Sequence, residues 1–480
     1  MSAGTDLGGL RRINELAILT AVRAGADTLA EVVRETGLAR ASVGEVTRDL
    51  VASGWLSEAA PVVRGRGRPA VRYEYRAGAG VLIGADIGAF NLRVALSDLD
   101  GRPLAQSRRF TTPELDARRR LRILDAAIDE CLRDAGRHEH EIWGAVLGTT
   151  GRVGGGRVLL SAAIPDWTGV DLSGHLSKRL PACLIGVEND SRLAAIAEQK
   201  LGGTAAATGS AAAGGGLAAG NDSAGGGAAA RGGAAARGGA AARGGAAAGG
   251  DGAAAGAPSA GAAAGGDGAA AGGASAGAAA GGGGAARRVV WPSALAGGRP
   301  QSLVLLQAGR RTGLGLIVNG RPHAGFGGVA GDLSRFPALK WEGAMEYLQQ
   351  SGVAPASGAT SDPVADTLDA AIEGSPAALA AVRRYIRMLA TTAGAVVSIL
   401  DPEVLVLGGS LAAYGDLLLP LLASELELLC LRTPRLEAST LGAEGAVLGA
   451  LCAAAELVDD ALIGSGPGPL PVHARPRVST

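Results

Sequence analysis

Lysine is almost missing from this 480-residue chain: Lys178, Lys200 and Lys340 are its only three. Positive charge therefore rests on arginine, and with alanine and glycine so abundant this reflects coding bias more than chemistry. A net charge is also missing, since 45 basic residues balance 45 acidic ones. No global field draws the chain to nucleic acid, so any such attraction must be local. Aromatics make up only 3% of the residues, which leaves leucine, valine and isoleucine to build the cores. The four cysteines, Cys131, Cys183, Cys430 and Cys452, are far apart and form no Cys-x-x-Cys pair. That spacing excludes a disulfide framework and a cysteine zinc site, and predicts buried thiols in a reducing compartment. No run of large apolar residues is long enough for a bilayer, and the stretch around Arg11, Arg12 and Glu15 has no apolar segment of signal type, so the expected location is the cytoplasm.

Between about Gly202 and Ala286 large side chains themselves are lacking. The segment is almost wholly Gly, Ala and Ser, with Arg-Gly-Gly-Ala-Ala-Ala repeating from Arg231 and Arg237. Such residues bury too little area to offset chain entropy, and a disordered insertion over 202–286 is expected. RNA contact through Arg-Gly repeats lacks the aromatics that stack on bases, and a collagen helix lacks strict Gly periodicity and prolines. A Gly/Pro-rich tail over 464–480 is expected to be loose. A chain of this length should hold two or three folded units.

What is present begins with helical periodicity around a break at Gly37-Leu38. Leu29, Val32 and Val33 lie before it, and Val43, Val46 and Leu50 after it. Two short amphipathic helices around a glycine turn are the sequence form of a helix-turn-helix. The second helix is expected from Ala39 to Ser53, with Arg40, Ser42, Thr47 and Arg48 facing away from the apolar stripe and toward a major groove. Arginine reaches guanine edges, and Ser or Thr bonds phosphates or bases. A Gly-punctuated basic stretch follows, with Arg64, Arg66, Arg68, Arg72 and Arg76 against the single acid Glu74. It reads as a two-stranded wing whose arginines neutralise phosphates. A three-helix bundle with a solvated arginine run is the competing reading. The DNA-binding unit is bounded at 1–78.

The body then reads as α/β. Val81 to Gly88, Asn91 to Ser97 and Leu104 to Thr111 are strand-like, with a turn at Asp98-Leu99-Asp100-Gly101. The acid and glycine at Asp86-x-Gly88 are the residue types by which actin-like and sugar-kinase-like domains hold a metal-bound water and approach a phosphate, although a plain strand-turn-strand fits too. Ile142 to Thr150 and Cys183 to Val187 are further strands. The second delivers Glu188-Asn189-Asp190 to its carboxyl end, where α/β sheets bind ligands, while a solvated helix cap accounts for the triplet alone. Past the insertion come Ser302 to Gln307, then Thr312-Gly313-Leu314-Gly315, a glycine-dense Gly325 to Asp332, and Val404 to Leu407 before Gly408-Gly409.

Taken together, the wing ending Gly67-Arg68-Pro69, Val187-Glu188-Asn189-Asp190, Thr312-Gly313-Leu314-Gly315 with Asn319-Gly320, and Asp401-Pro402-Glu403 with Gly408-Gly409 resemble the ROK family (repressors, open reading frames, kinases). Within it the chain resembles the xylose-repressor-like branch, which carries an N-terminal winged helix-turn-helix. The resemblance implies a multidomain chain whose body has two ribonuclease-H-like lobes, at 79–201 and 287–463, around a cleft that holds a sugar. In the kinases a nucleotide lies beside the sugar. It further implies that Asp190 is the base of a kinase and Asn189 a sugar-contacting amide. Asp86 and Gly88 match the first phosphate loop, although the usual Thr is missing from Ala89-Phe90-Asn91. Thr312, Gly313, Gly315, Gly408 and Gly409 would serve the nucleotide if the chain is a kinase.

Gly331-Asp332-Leu333-Ser334-Arg335 stands where the family has Gly-Glu-x-Gly-His. Asp332 keeps the charge with a shorter reach, whereas Arg335 cannot replace an imidazole ligand, and Phe336 to Glu346 has no cysteine for a zinc loop. No zinc and no other cofactor is expected; ATP and Mg enter only with the kinase reading. These departures favour a sugar-responsive transcriptional regulator, a repressor and by analogy a homodimer. Its ligand, a sugar or sugar derivative, would meet Asn189, Asp190, Asp332 and Arg335, the last favouring an acidic or phosphorylated one. A sugar kinase with an appended DNA-binding domain and a ligand-blind DNA-binding protein are the alternatives.

Overall fold

A computed structural model describes residues 7–62, 70–202, 299–308, 313–332, 344–353, 355 and 362–464. Arg64, Arg66, Arg68, Thr312 and Arg335, nearly all of the Gly/Ala-rich insertion and the tail beyond 464 lie outside the described residues.

Three helices open the described chain: α1 (Leu7–Arg23), α2 (Leu29–Thr36) and α3 (Arg40–Ala52). A capping box starts α2. Thr28 Oγ1 accepts from the Glu31 amide at 3.3 Å, and the Glu31 carboxylate accepts from the amides of Asp27 and Thr28 at 3.0 and 3.2 Å. Those bonds, the Asp27 amide foremost, hold the Glu31 carboxyl down at about 2. The helix stops at Gly37, whose φ of 69° is left-handed and whose amide closes on the Val33 carbonyl at 2.9 Å. The strands β1 (Leu56–Val62) and β2 (Ala70–Tyr75) follow as an antiparallel pair, with Leu56 opposite Tyr75 and Glu58 opposite Tyr73. Three helices followed by a two-stranded hairpin is the element order expected of a winged helix-turn-helix.

The first sheet takes β3 (Val81–Ile87), β4 (Asn91–Asp98) and β5 (Pro103–Phe110) as an antiparallel run. The helix α4 (Ala117–Asp134) follows, then β6 (Ile142–Thr149) and the small hairpin β7 (Arg152–Gly154) and β8 (Arg157–Leu160). Next come α5 (Leu172–Arg179), β9 (Leu184–Asn189) and α6 (Asp190–Leu201). Its strand order is β5-β4-β3-β6-β9, with β3, β6 and β9 mutually parallel. β3 is buried along its whole length because both sheet faces are covered. Val81, Ile83 and Ala85 share a core with Leu124, Ile128 and Cys131 of α4, which explains an apolar run without alternation.

The second sheet repeats the plan. It contains β10 (Leu303–Gln307), β11 (Gly313–Val318) and β12 (Arg321–Pro322), then α7 (Ala344–Gln349), α8 (Pro363–Ile372) and α9 (Pro376–Leu400). After them follow β13 (Val404–Gly408), α10 (Gly415–Leu429), β14 (Arg435–Ala438) and α11 (Gly445–Gly464). The order is β12-β11-β10-β13-β14, again with three antiparallel strands and then two parallel additions. Val304, Leu306, Leu405 and Leu407 pack against α7 to α10.

One boundary needs correction. The second lobe was expected over 287–463, yet α11 returns to the first sheet: Ala450, Leu451 and Ala454 share a core with Leu82 and Val146. The return is made at the backbone. A Cβ on Gly84 of β3 would lie 2.6 Å from the Val447 carbonyl, and one on Gly144 of β6 would lie 2.9 Å from the Ala454 carbonyl. On its other side α11 meets α6, where a Cβ on Gly449 would come within 1.8 Å of the Leu193 carbonyl. α6 in turn presses Ala194 and Ala195 against Leu303, Leu305 and Ile317 of the second sheet. The two helices thus lie between the two sheets.

The helix-turn-helix is part of the same mass. Ile18, Val32, Val46, Leu50 and Trp55 belong to the core that includes Leu82, Trp143 and α11. Trp55 meets Trp143 edge to face, with ring centroids 4.8 Å apart. Among the described residues, no helix is long and apolar enough to cross a membrane.

Candidate ligand cleft and nucleic-acid interface

At the carboxyl ends of the parallel strands β3, β6 and β9, the register sets Asp86 opposite Gly148 and Thr149 opposite Asn189. Ligands of α/β sheets bind at such edges. Asn189 caps α6: its Oδ1 accepts from the amides of Ser191 and Arg192 at 3.0 and 3.2 Å, and its Nδ2 donates to the Gly151 carbonyl at 3.1 Å. One amide hydrogen is left for a ligand. Asp190 opens the helix, with Oδ1 accepting from the Ser191 amide at 2.8 Å. Burial first, and then the negative charge of Asp86, push its carboxyl up to about 7. A carboxylate poised near neutrality can take a proton from a hydroxyl or accept its hydrogen bond.

Asp86 is buried, and desolvation raises it to about 6 against the opposing pull of Arg93. Arg93 stands directly across the β3–β4 ladder and donates to Asp86 Oδ2 at 3.2 Å, while its Nε lies 3.4 Å from Glu444. The neighbouring loop is fastened by its carbonyls. Arg120, fully buried on α4, donates to Gly88 O at 2.6 Å and to Thr112 O at 2.6 Å, and Thr111 Oγ1 donates to Ala89 O at 3.0 Å. Sequence reasoning missed Arg93, Arg120 and Arg192. The available signal was an arginine inside the apolar strand Leu92-Arg93-Val94, one short turn after Asp86.

The glycines assigned to a nucleotide have packing neighbours. Cβ atoms on Gly313 and Gly315 would strike Ser191 Oγ and Ser191 O at 2.1 and 2.2 Å, so β11 lies against the first turn of α6. At the end of β13 beside β10, a Cβ on Gly409, whose φ is 78°, would lie 2.2 Å from the Ala308 carbonyl. Asp332 is exposed, at the end of a loop anchored toward α6: Arg152 Nε donates to Gly327 O at 2.9 Å and Arg192 Nη2 to Gly328 O at 3.3 Å. Arg192 also pairs with Glu188. Asp86, Asn189 and Asp190 are thereby gathered on the first sheet's edge. Among the described residues, no group of three or more His, Cys, Asp or Glu side chains is placed to hold a metal.

On α3, Arg40 and Arg48 are exposed and Ser42 is half-buried. Thr47 is not on that face. It is 1% exposed, because it follows Val43 by one helical turn and joins the Val43, Val46, Leu50 stripe, and its Oγ1 finds no hydrogen-bond partner among the described residues. The acids Glu45 and Asp49 of the same helix are engaged by Arg11 of α1, which leaves Arg40 and Arg48 as the outward charge. Arg72 and Arg76 also depart from the expected wing role. Arg72 bonds Asp27 at 2.7 Å and Arg76 donates to Gly54 O at 3.3 Å, so both fasten the hairpin to the helices.

Comparisons with known proteins agree with this architecture. A ROK family transcriptional regulator described as a homolog of the E. coli Mlc protein superposes with a TM-score of 0.60 at 17% identity, over 95% of this chain and 98% of its own. A ROK family glucokinase from Streptomyces griseus, in complex with glucose and AMPPNP, gives 0.52 at 18% identity, over 78% of this chain and 100% of its own. At such identities the likeness is one of fold. No curated protein matches the chain in sequence. The sequence model of the ROK family matches residues 82–234 and 348–456, more than half of the chain and strands of both sheets, and the chain belongs to that family.

Proposed function

We propose that this protein is a sugar-responsive, DNA-binding transcriptional repressor whose two-sheet body senses the ligand. The observation that carries the reading is the winged helix-turn-helix built into the same core as the cleft-bearing sheet. The regulator's match over 95% of this chain, against 78% for the glucokinase, supports it. In this reading Arg40, Ser42 and Arg48 enter the major groove and Arg64, Arg66 and Arg68 meet phosphates. The sugar engages Asn189 and Asp190, with Asp332 and Arg335 beside it. A homodimer would read two half-sites about 34 Å apart.

A second reading, an ATP-dependent sugar kinase, draws on Asp190, whose carboxyl near neutrality suits a base. Against it, the acid that would hold a metal-bound water, Asp86, is paired with Arg93. The test is selection from a random-sequence duplex library, followed by release of the selected duplex over a panel of aldoses, their phosphates and acids. Enrichment of one duplex and its release by a sugar without ATP turnover is the expected result. Failure to enrich any duplex sinks the regulator, and sugar-dependent ATP turnover abolished by Asp190→Ala establishes the kinase.

A further inference from the structure

Helix α11 is tied at both ends to places that matter for that reading. At its start, Glu444, the residue before α11, forms an ion pair with Arg93 at 3.4 Å, and Arg93 Nη1 donates to the cleft carboxylate Asp86 at 3.2 Å. Near its far end, Asp459 accepts from Arg23 Nη1 at 3.3 Å. Arg23 is the last residue of α1. Its Nε also donates to Asp100 at 3.2 Å and its Nη2 to the Leu99 carbonyl at 3.0 Å, while the guanidinium lies 4.8 Å from the centre of the Tyr75 ring. One side chain therefore joins the DNA-binding unit to α11 and to the β4–β5 turn.

Between those ends α11 has little slack. The glycine contacts with Val447, Ala454 and Leu193 set backbone on backbone, where no side-chain rotation can absorb a displacement. Leu193 belongs to α6, whose first turn carries Asp190. The ion pair of Lys200 with Glu456 binds the far end of α6 to the same helix. A shift of α6 or of the Asp86–Arg93 pair must therefore move α11 as a body.

From this geometry we infer that α11 is the strut through which the cleft controls the helix-turn-helix, with Arg23, Asp459 and Asp100 as the clasp at its output end. The inference rests on the sensing reading for its purpose, since it names how the occupied cleft would change DNA affinity. A ligand drawing on Asp86 or Asp190 changes the charge that Arg93 faces, and the change reaches α1 through the position of α11. The clasp holds the DNA-binding unit in one orientation, and loosening it frees α1 to turn about the Trp55–Trp143 contact. Arg23 and Asp459 are positioning residues in this scheme.

Hydrogen exchange of the full chain, read peptide by peptide without any ligand, tests the coupling. Arg93→Gln, on β4 beside Asp86 and Glu444, should raise exchange in α1 by about fivefold or more while α9 of the second sheet stays unchanged. Glu444→Gln, at a half-exposed position, should act in the same direction more weakly. In an Asp459→Asn background Arg93→Gln should add nothing further to α1. Changes confined to β3, β4 and the start of α11, or effects of Arg93→Gln and Asp459→Asn that simply add, overturn the strut. Because no sugar enters this experiment, a cleft that binds none would defeat the sensing reading and leave this result standing, and the reverse holds equally.

Discussion

The two five-stranded sheets share one strand order, yet the first seats α11 in a way the second does not use for α9 and α10, and the two offer different edges. The first sheet seats α11 on glycines, at backbone distance, while the second seats α9 and α10 on large side chains such as Tyr385, Leu389, Leu418 and Leu422. At the first sheet's carboxyl edge two carboxyls, Asp86 and Asp190, are desolvated together. At the matching edge of the second, the described residues Ala308, Gly408 and Gly409 carry no titratable group. One topology therefore supports two divisions of labour. Tight backbone packing stands beside the charged edge, and adaptable side-chain packing stands beside the backbone one.

The comparison breaks most visibly at Gly449. Gly449→Leu forces a side chain into the Leu193 carbonyl, and the loss should exceed about 3 kcal/mol, read as loss of soluble folded protein or a collapsed urea midpoint. On the second sheet Leu389→Ala leaves a cavity into which side chains can partly relax, and a smaller cost of about 2–3 kcal/mol is expected in the same titration. Equal costs would show that the two packings do not differ in slack.

The charged edge is tested by pH. Asp190 holds its proton to about 7 in the folded chain, well above its ordinary value. The resulting stabilisation is fully present below about pH 4, where the unfolded chain is protonated too, and it is lost as pH rises through about 7. Asp190→Asn escapes that loss. The variant should unfold like the parent at pH 4 and exceed it at pH 8 by on the order of 1–2 kcal/mol, a figure reduced for the solvent that reaches this half-buried group. A difference of the same size at both pH values would remove the desolvated pair from the account.

The smallest effect concerns Thr47. Thr47→Val replaces a buried hydroxyl without a partner and should stabilise by about 0.5–1 kcal/mol, with DNA affinity unchanged. Arg40→Ala should do the opposite, weakening DNA binding and leaving thermal stability within about 0.5 kcal/mol. If Thr47→Val also weakened DNA binding, its burial would be less important than supposed.

Much of this was legible in the chain because the signals are local. The Thr28/Glu31 box marks the start of α2, Gly37 marks the break between α2 and α3, and Asn189-Asp190 announces a helix start at a strand's end. Thr47 was misplaced because a hydroxyl reads as surface, although its spacing from Val43 and Leu50 puts it on the apolar stripe. Arg72 and Arg76 read as free charge because their partners, Asp27 and the Gly54 carbonyl, lie 45 and 22 residues away. The return of α11 to the first sheet leaves no local mark. Glycine at 84, 144 and 449 looks like composition in a glycine-rich chain until the backbone it makes room for is seen.

The edge-to-face pair of Trp55 and Trp143 has an optical consequence. Indoles at a centroid separation of 4.8 Å couple their electronic transitions, and this chain has only five tryptophans. The pair spans the joint between the helix-turn-helix and the first sheet. Any rotation there would alter the coupling and with it the far-ultraviolet circular dichroism, so the pair is a native, label-free gauge of that joint.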